Sequence, residues 1–153
     1  MQESGFPTVN QQKCIRHGRL FSNCVNCRDA CPDEAISLVD NQIQLNASDC
    51  RDCGLCAAAC PEQAIEVKHR VNRVVYQEKP LALIACIKTV KTADKINPQL
   101  HCIHELNSAA LADLYLSNTR TIVTTIADCQ HCELNRQDRF TESLDLFNAF
   151  LGS

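Results

Sequence analysis

Glycine is scarce, with four residues in 153. A glycine-rich nucleotide loop is therefore excluded. No apolar run approaches the roughly 20 residues that a membrane helix needs, so no membrane span is expected. Residues 1–7, Met-Gln-Glu-Ser-Gly-Phe-Pro, offer neither a basic n-region nor an apolar h-region. A twin-arginine signal is missing as well. Basic residues do not dominate: 15 Lys and Arg stand against 18 Asp and Glu, for a formal net charge of −3. Nucleic acid is thus not expected as a partner. No Ser/His/Asp set and no acidic pair with catalytic spacing stands out. The expectation is a chain that is not an enzyme.

What the chain has is cysteine, 12 residues. That is about 8 % of the chain, near the level of a disulfide scaffold. Without a secretory signal the expected compartment is the reducing cytoplasm, where such cysteines are metal ligands rather than disulfides.

Residues 50–61 read Cys50-Arg-Asp-Cys53-Gly-Leu-Cys56-Ala-Ala-Ala-Cys60-Pro61. This is a complete C-x2-C-x2-C-x3-C-P run, which packs four thiolates closely enough to hold an iron–sulfur cluster. Pro61 keeps the chain beyond Cys60 from continuing as regular structure. Upstream, residues 24–32 read Cys24-Val-Asn-Cys27-Arg-Asp-Ala-Cys31-Pro32, the same string without its first cysteine. The nearest replacement is Cys14. The text that follows also repeats: Cys31-Pro32-Asp33-Glu34-Ala35-Ile36 matches Cys60-Pro61-Glu62-Gln63-Ala64-Ile65 at a 29-residue offset. Two copies of one supersecondary unit are implied. The competing readings of the two runs are a disulfide framework and paired zinc knuckles.

On these motifs, residues 10–78 resemble the bacterial-type two-cluster [4Fe-4S] ferredoxins. The resemblance implies that the fourth cysteine of each run crosses to the other cluster. Cluster I would then be held by Cys14, Cys24, Cys27 and Cys60. Cluster II would be held by Cys50, Cys53, Cys56 and Cys31. The departure from the family pattern is the long segment 15–23 between Cys14 and Cys24, although added loop length costs little closure entropy. A free Cys14 would leave three ligands and a [3Fe-4S] species. The segment carries Arg16, His17 and Arg19, a cationic loop that would favour the reduced cluster, serve in docking or simply lie solvated at the surface. Gly54 would let backbone N–H groups approach the sulfurs. About 70 residues make a marginal core, so bound clusters would supply folding free energy.

The expected organisation is an α+β two-cluster ferredoxin fold over residues 1–79, then a small parallel α/β domain over 80–153, thioredoxin-like or Rossmann-like. Residues 36–45 read as a hairpin turning at Asp40-Asn41, and residues 65–76 as its counterpart turning near 70–72. Residues 33–35 and 62–64 read as short helical turns. In the second half, residues 107–116 read as a helix capped by Asn107 or Ser108. Residues 120–127 read as a buried strand. Phe140, Leu144, Phe147 and Leu151 mark an amphipathic helix closed by Gly152.

Cys86, Cys102, Cys129 and Cys132 lie at or near strand ends. In open α/β sheets the carboxyl ends of the strands form the ligand crevice. Three readings stay open for this set: a third cluster, expected to be [4Fe-4S]; a four-thiolate zinc site; and unligated cysteines with a redox disulfide at Cys129/Cys132. His101, His104 and His131 lie near these thiols, as ligands or, more simply, beside them or at the surface. His17 and His69 read as surface residues. The half resembles thioredoxin-like ferredoxins and ferredoxin-linked modules of molybdenum-dependent oxidoreductases such as formate dehydrogenase. That resemblance implies electron transfer to or from a redox enzyme. Three clusters would bring the net charge to roughly −9, a field that steers toward a basic patch. The alternatives are an enzyme or redox sensor centred on the C-terminal metal, and a dicluster ferredoxin with a structural zinc.

Overall fold

The computed structural model describes residues 6–19, 21–68, 71–89, 99–134 and 138–152. The chain forms two units, Met1–Lys68 and His69–Ser153. The second begins ahead of residue 80, because residues 72–76 pair within it.

In the first unit, β1 (Thr8–Val9) leads into a 3-10 turn at Gln11–Lys13 and then Cys14. α1 (Asn26–Asp29), β2 (Ile36–Val39) and β3 (Gln42–Leu45) follow, then α2 (Leu55–Ala58) and β4 (Ile65–Glu66). β2 and β3 form the expected antiparallel hairpin. Asp40 and Asn41 turn it with φ of 49° and 61°. Two left-handed residues suit the right-handed strand twist, and Asp and Asn tolerate that region better than most residues.

The 29-residue repeat extends to the backbone. α1 and α2 occupy matching positions, and Ala30 and Ala59 share φ −80° and ψ −14°. Glu34 and Gln63 are both left-handed, at φ 54° and 50°. That conformation stops helix at those points. The short helices therefore carry Cys27 and Cys56 and do not form at residues 33–35 and 62–64. The core between the repeats contains Ile36, Ile43, Ala57, Ala64 and Ile65 with Cys14, Cys27 and Cys56.

The expected hairpin over residues 65–76 does not form. β4 pairs instead with β1, Thr8 opposite Glu66 and Val9 opposite Ile65. The turn expected there includes residue 70, outside the described residues, as is His69. β5 (Asn72–Tyr76) belongs to the second unit and pairs antiparallel with β6 (Lys79–Cys86). Gln77 and Glu78 turn this hairpin with φ of 47° and 63°. Neither residue is a usual left-handed turn former, and Pro80 read as a boundary. Pro80 is tolerated because β6 has a partner on its other edge only from Leu81 onward.

β7 (Gln99–Leu100) and β8 (Thr121–Thr125) both run parallel to β6. β8 spans Leu81 to Ala85 on one edge, so β5 and β7 must follow one another along the other. The sheet is thus mixed rather than wholly parallel. β8, expected to be buried, is largely exposed, with Val123 at 47 %. Among the described residues it pairs only with β6, which leaves its other edge open. α3 (Ser108–Leu116) buries Leu111 and Leu114, and the Asn107 side chain caps it by accepting from the Ala110 N–H at 3.0 Å. α4 (Arg139–Leu151) ends at Gly152 with φ 72°. Phe140, Leu144 and Phe147 are half-buried along a cleft of about 400 Å³ between α3, β8 and α4. The core of this unit includes a cluster of Ile84, Leu100, Ile103 and Leu106.

Candidate metal centres

The first unit contains two small cavities, each lined by four cysteines. Cys14, Cys24, Cys27 and Cys60 line one. Cys31, Cys50, Cys53 and Cys56 line the other. Their volumes match, at about 10 Å³ each, as a duplicated unit requires. Each set takes three residues from one stretch of chain and one from the other. Cys14 stands where the shortened upstream run lacks a cysteine. The repeat puts Phe21 opposite Cys50, and Phe21 is 91 % exposed while Cys14 is buried.

The electrostatics of the thiols report the same two groups. Burial pushes the Cys27 thiol up to about 11, with Cys60, Cys24 and Cys14 adding to the rise. Burial pushes Cys56 up to about 12, helped by Cys53, Cys31 and Cys50. Cys53 rises to about 11 through burial and then Cys31 and Cys50. Cys50 is raised by burial first and by the nearby Asp52 carboxylate and Cys31. Buried thiols that resist ionising need a compensating positive charge to become thiolate ligands, which a bound metal supplies.

Local backbone favours charged sulfur. N–H groups of Arg28, Asp52, Leu55 and Ala57 face Cys27, Cys50, Cys53 and Cys56 and lower their pKa values against the burial effect. The Ala35 N–H donates to Cys31 Sγ, and the Ala64 N–H to Cys60 Sγ, each at 3.3 Å. Sequence reasoning missed these two donors, although the repeated Cys-Pro-acid-x-Ala strings carry the signal. Gly54, with φ 73°, begins α2 and gives the turn between Cys53 and Cys56 a conformation that side chains disfavour. The two cysteine-rich shells fit [4Fe-4S] groups in donor type, number and N–H surroundings.

In the second unit Cys86 ends β6, and Cys102 follows β7. Cys129 to His131 form a 3-10 turn after β8, with the Asp128 side chain accepting from the Gln130 N–H at 3.0 Å. Burial raises the Cys129 thiol, and the next causes are Cys86 and Cys132, so these three are neighbours. The Cys86 thiol donates to the His101 carbonyl at 3.9 Å, one residue before Cys102. Each of the four lies at or after the carboxyl end of a parallel strand, and Cys86, Cys129 and Cys132 are neighbours. Among the described residues no three His, Cys, Asp or Glu side chains converge tightly enough to chelate a single ion.

The histidines separate. His131 is exposed and pairs with Asp128 at 2.7 Å. His104 is buried at 3 % exposure. Its Nδ1 accepts the Phe140 N–H at 3.3 Å and lies 3.6 Å from Asp138. Burial pulls the pKa of His104 down, and Asp138 offsets part of that. His17 is exposed, as expected.

No helix among the described residues is long and apolar enough to cross a membrane. Residues 22–65 match the family model of the 4Fe-4S dicluster domain. The match includes every cysteine of the two cavities except Cys14. No curated protein and no solved structure matches the chain.

Proposed function

We propose that the chain is an electron-transfer protein of the reducing cytoplasm, with [4Fe-4S] clusters in both cavities of the first unit. Cys14, Cys24, Cys27 and Cys60 hold one cluster, and Cys31, Cys50, Cys53 and Cys56 hold the other. The observation that carries the reading is the crossed lining of the two cavities. The bound clusters would supply one-electron carriers. The protein's part is to hold them close, keep water away and present an edge. Cys27 and Cys31 serve different cavities yet lie four residues apart across a helical turn, roughly 6 Å at 1.5 Å per residue. Cys56 and Cys60 repeat that link. Cys24, Cys31, Cys50 and Cys60 are only half-buried, so each shell has a side near the surface where a partner can exchange electrons.

The same proposal extends to a third cluster at Cys86, Cys102, Cys129 and Cys132. Its support is the neighbouring Cys86, Cys129 and Cys132, with Cys102 at the end of the adjoining strand β7. The partner is a redox enzyme, and the chain itself makes and breaks no substrate bonds. Reductive titration of the anaerobic protein with EPR detection tests this. The expected result is two magnetically interacting signals plus a third that Cys129→Ala removes alone. A Cys129→Ala protein that keeps every signal would rule out the third cluster.

A further inference from the structure

The two cavities have the same donors and different surroundings. Arg16, in the long segment between Cys14 and Cys24, lines the first cavity. Two of its nitrogens are anchored. Nη1 donates to the Cys24 carbonyl at 2.9 Å, and Nη2 to Asn41 Oδ1 at 3.4 Å. These bonds fix the guanidinium between the loop and the β2–β3 turn. The third nitrogen, Nε, is buried and has no hydrogen-bond partner among the described residues. A buried donor on a permanently charged group is expensive to leave unmade. The second cavity also has a guanidinium in its lining, that of Arg51. It closes on Asp33, which lines the same cavity. No carboxylate pairs with Arg16 among the described residues, and the acid that lines its cavity, Glu62, is exposed.

We propose that Arg16 donates from Nε to a sulfur of the cluster held by Cys14, Cys24, Cys27 and Cys60, making that cluster the more readily reduced of the pair. The proposal rests on the dicluster reading given above. Reduction adds one electron from an external one-electron donor, dithionite in the test below. No bond is made or broken, and the guanidinium keeps its proton throughout. The added negative charge meets a fixed cation and a charge-assisted hydrogen bond in a site shielded from water. At the other cavity the charge of Arg51 is already offset by Asp33. An electron delivered to the pair therefore rests beside Arg16. Arg16 is a positioning residue for charge and not a ligand.

The test is a dithionite titration followed by EPR on the full chain loaded anaerobically, in wild type, Arg16→Met and Arg16→Gln. In wild type the magnetically interacting pair of the first unit is expected to reduce in two separate one-electron steps, told apart by that interaction from the signal of a third cluster. Both variants should lower the higher step by at least a tenfold change in the reduced-to-oxidised ratio, which is 59 mV for one electron. The lower step should stay in place. Arg16→Gln keeps a polar side chain of similar reach, so it is decisive if Arg16→Met loads poorly. A higher step that does not move in a fully loaded variant overturns the proposal and leaves the dicluster reading intact. Movement of the lower step alone would overturn it equally. Wild-type protein that takes up no iron overturns both.

Discussion

Cys60→Ala separates the crossed arrangement from one that follows chain order. Cys60 closes the run at residues 50–61, yet it lines the cavity of Cys14, Cys24 and Cys27. The substitution removes one of that cavity's four sulfurs. It also removes the acceptor of the Ala64 N–H, 3.3 Å away, at a residue with 0 % exposure. An orphaned buried amide costs about 1–3 kcal/mol, a sizeable part of the 5–15 kcal/mol that typically holds a domain folded. Cys60→Ser keeps an oxygen acceptor there, so the stability difference between the two variants should fall in that 1–3 kcal/mol range, read from thermal melts of the loaded protein. Iron analysis of double variants then gives the ligand sets. Cys60→Ala and Cys24→Ala should each cost about four iron, and the pair no more than either alone, because both belong to one four-iron site. Cys60→Ala with Cys53→Ala should cost about eight. The reverse pattern, with Cys60 non-additive against Cys53 and additive against Cys24, would refute the crossed assignment.

Two further predictions concern the second unit. The pKa of His104 is lowered by burial from its ordinary 6.5, so the unfolded chain binds a proton that the folded chain refuses. Stability of this unit is therefore full above about pH 6.5 and falls as pH drops below it, by at most about 1.4 kcal/mol per pH unit. Amide exchange of α3 between pH 7.5 and 5.8 should show the loss after correction for intrinsic rates, and His104→Gln should flatten it. Leu106 has 0 % exposure among Ile84, Leu100 and Ile103, and Leu106→Ala should cost 2–5 kcal/mol. The same exchange experiment should show lost protection in α3 while the first unit keeps about eight iron, as two four-iron sites require.

The dicluster half was legible because its signals are local. Ligand spacing, the 29-residue repeat and the Asp40-Asn41 turn all lie within short stretches of sequence. What escaped was non-local pairing. β1 is two residues long, and nothing in Thr8-Val9 announces Ile65 and Glu66 as its partners. The Gln77-Glu78 turn lacks glycine and asparagine, so β5 looked like part of the first unit. The β-branched residues of β8 suggested burial, but their place on the open edge of the sheet was decided by topology. At the sites, cysteine identity was readable. The shell of N–H groups and the aim of Arg16 depend on tertiary packing.

The chain proposed here has three four-iron sites, two of them crossed. Iron, acid-labile sulfide and zinc measured on protein purified anaerobically test it most directly. About twelve iron, about twelve sulfide and no zinc per chain are expected, as three [4Fe-4S] clusters require. About eight iron with one zinc would remove the third site. Zinc alone, with no sulfide, would rule out iron–sulfur clusters at all three sites.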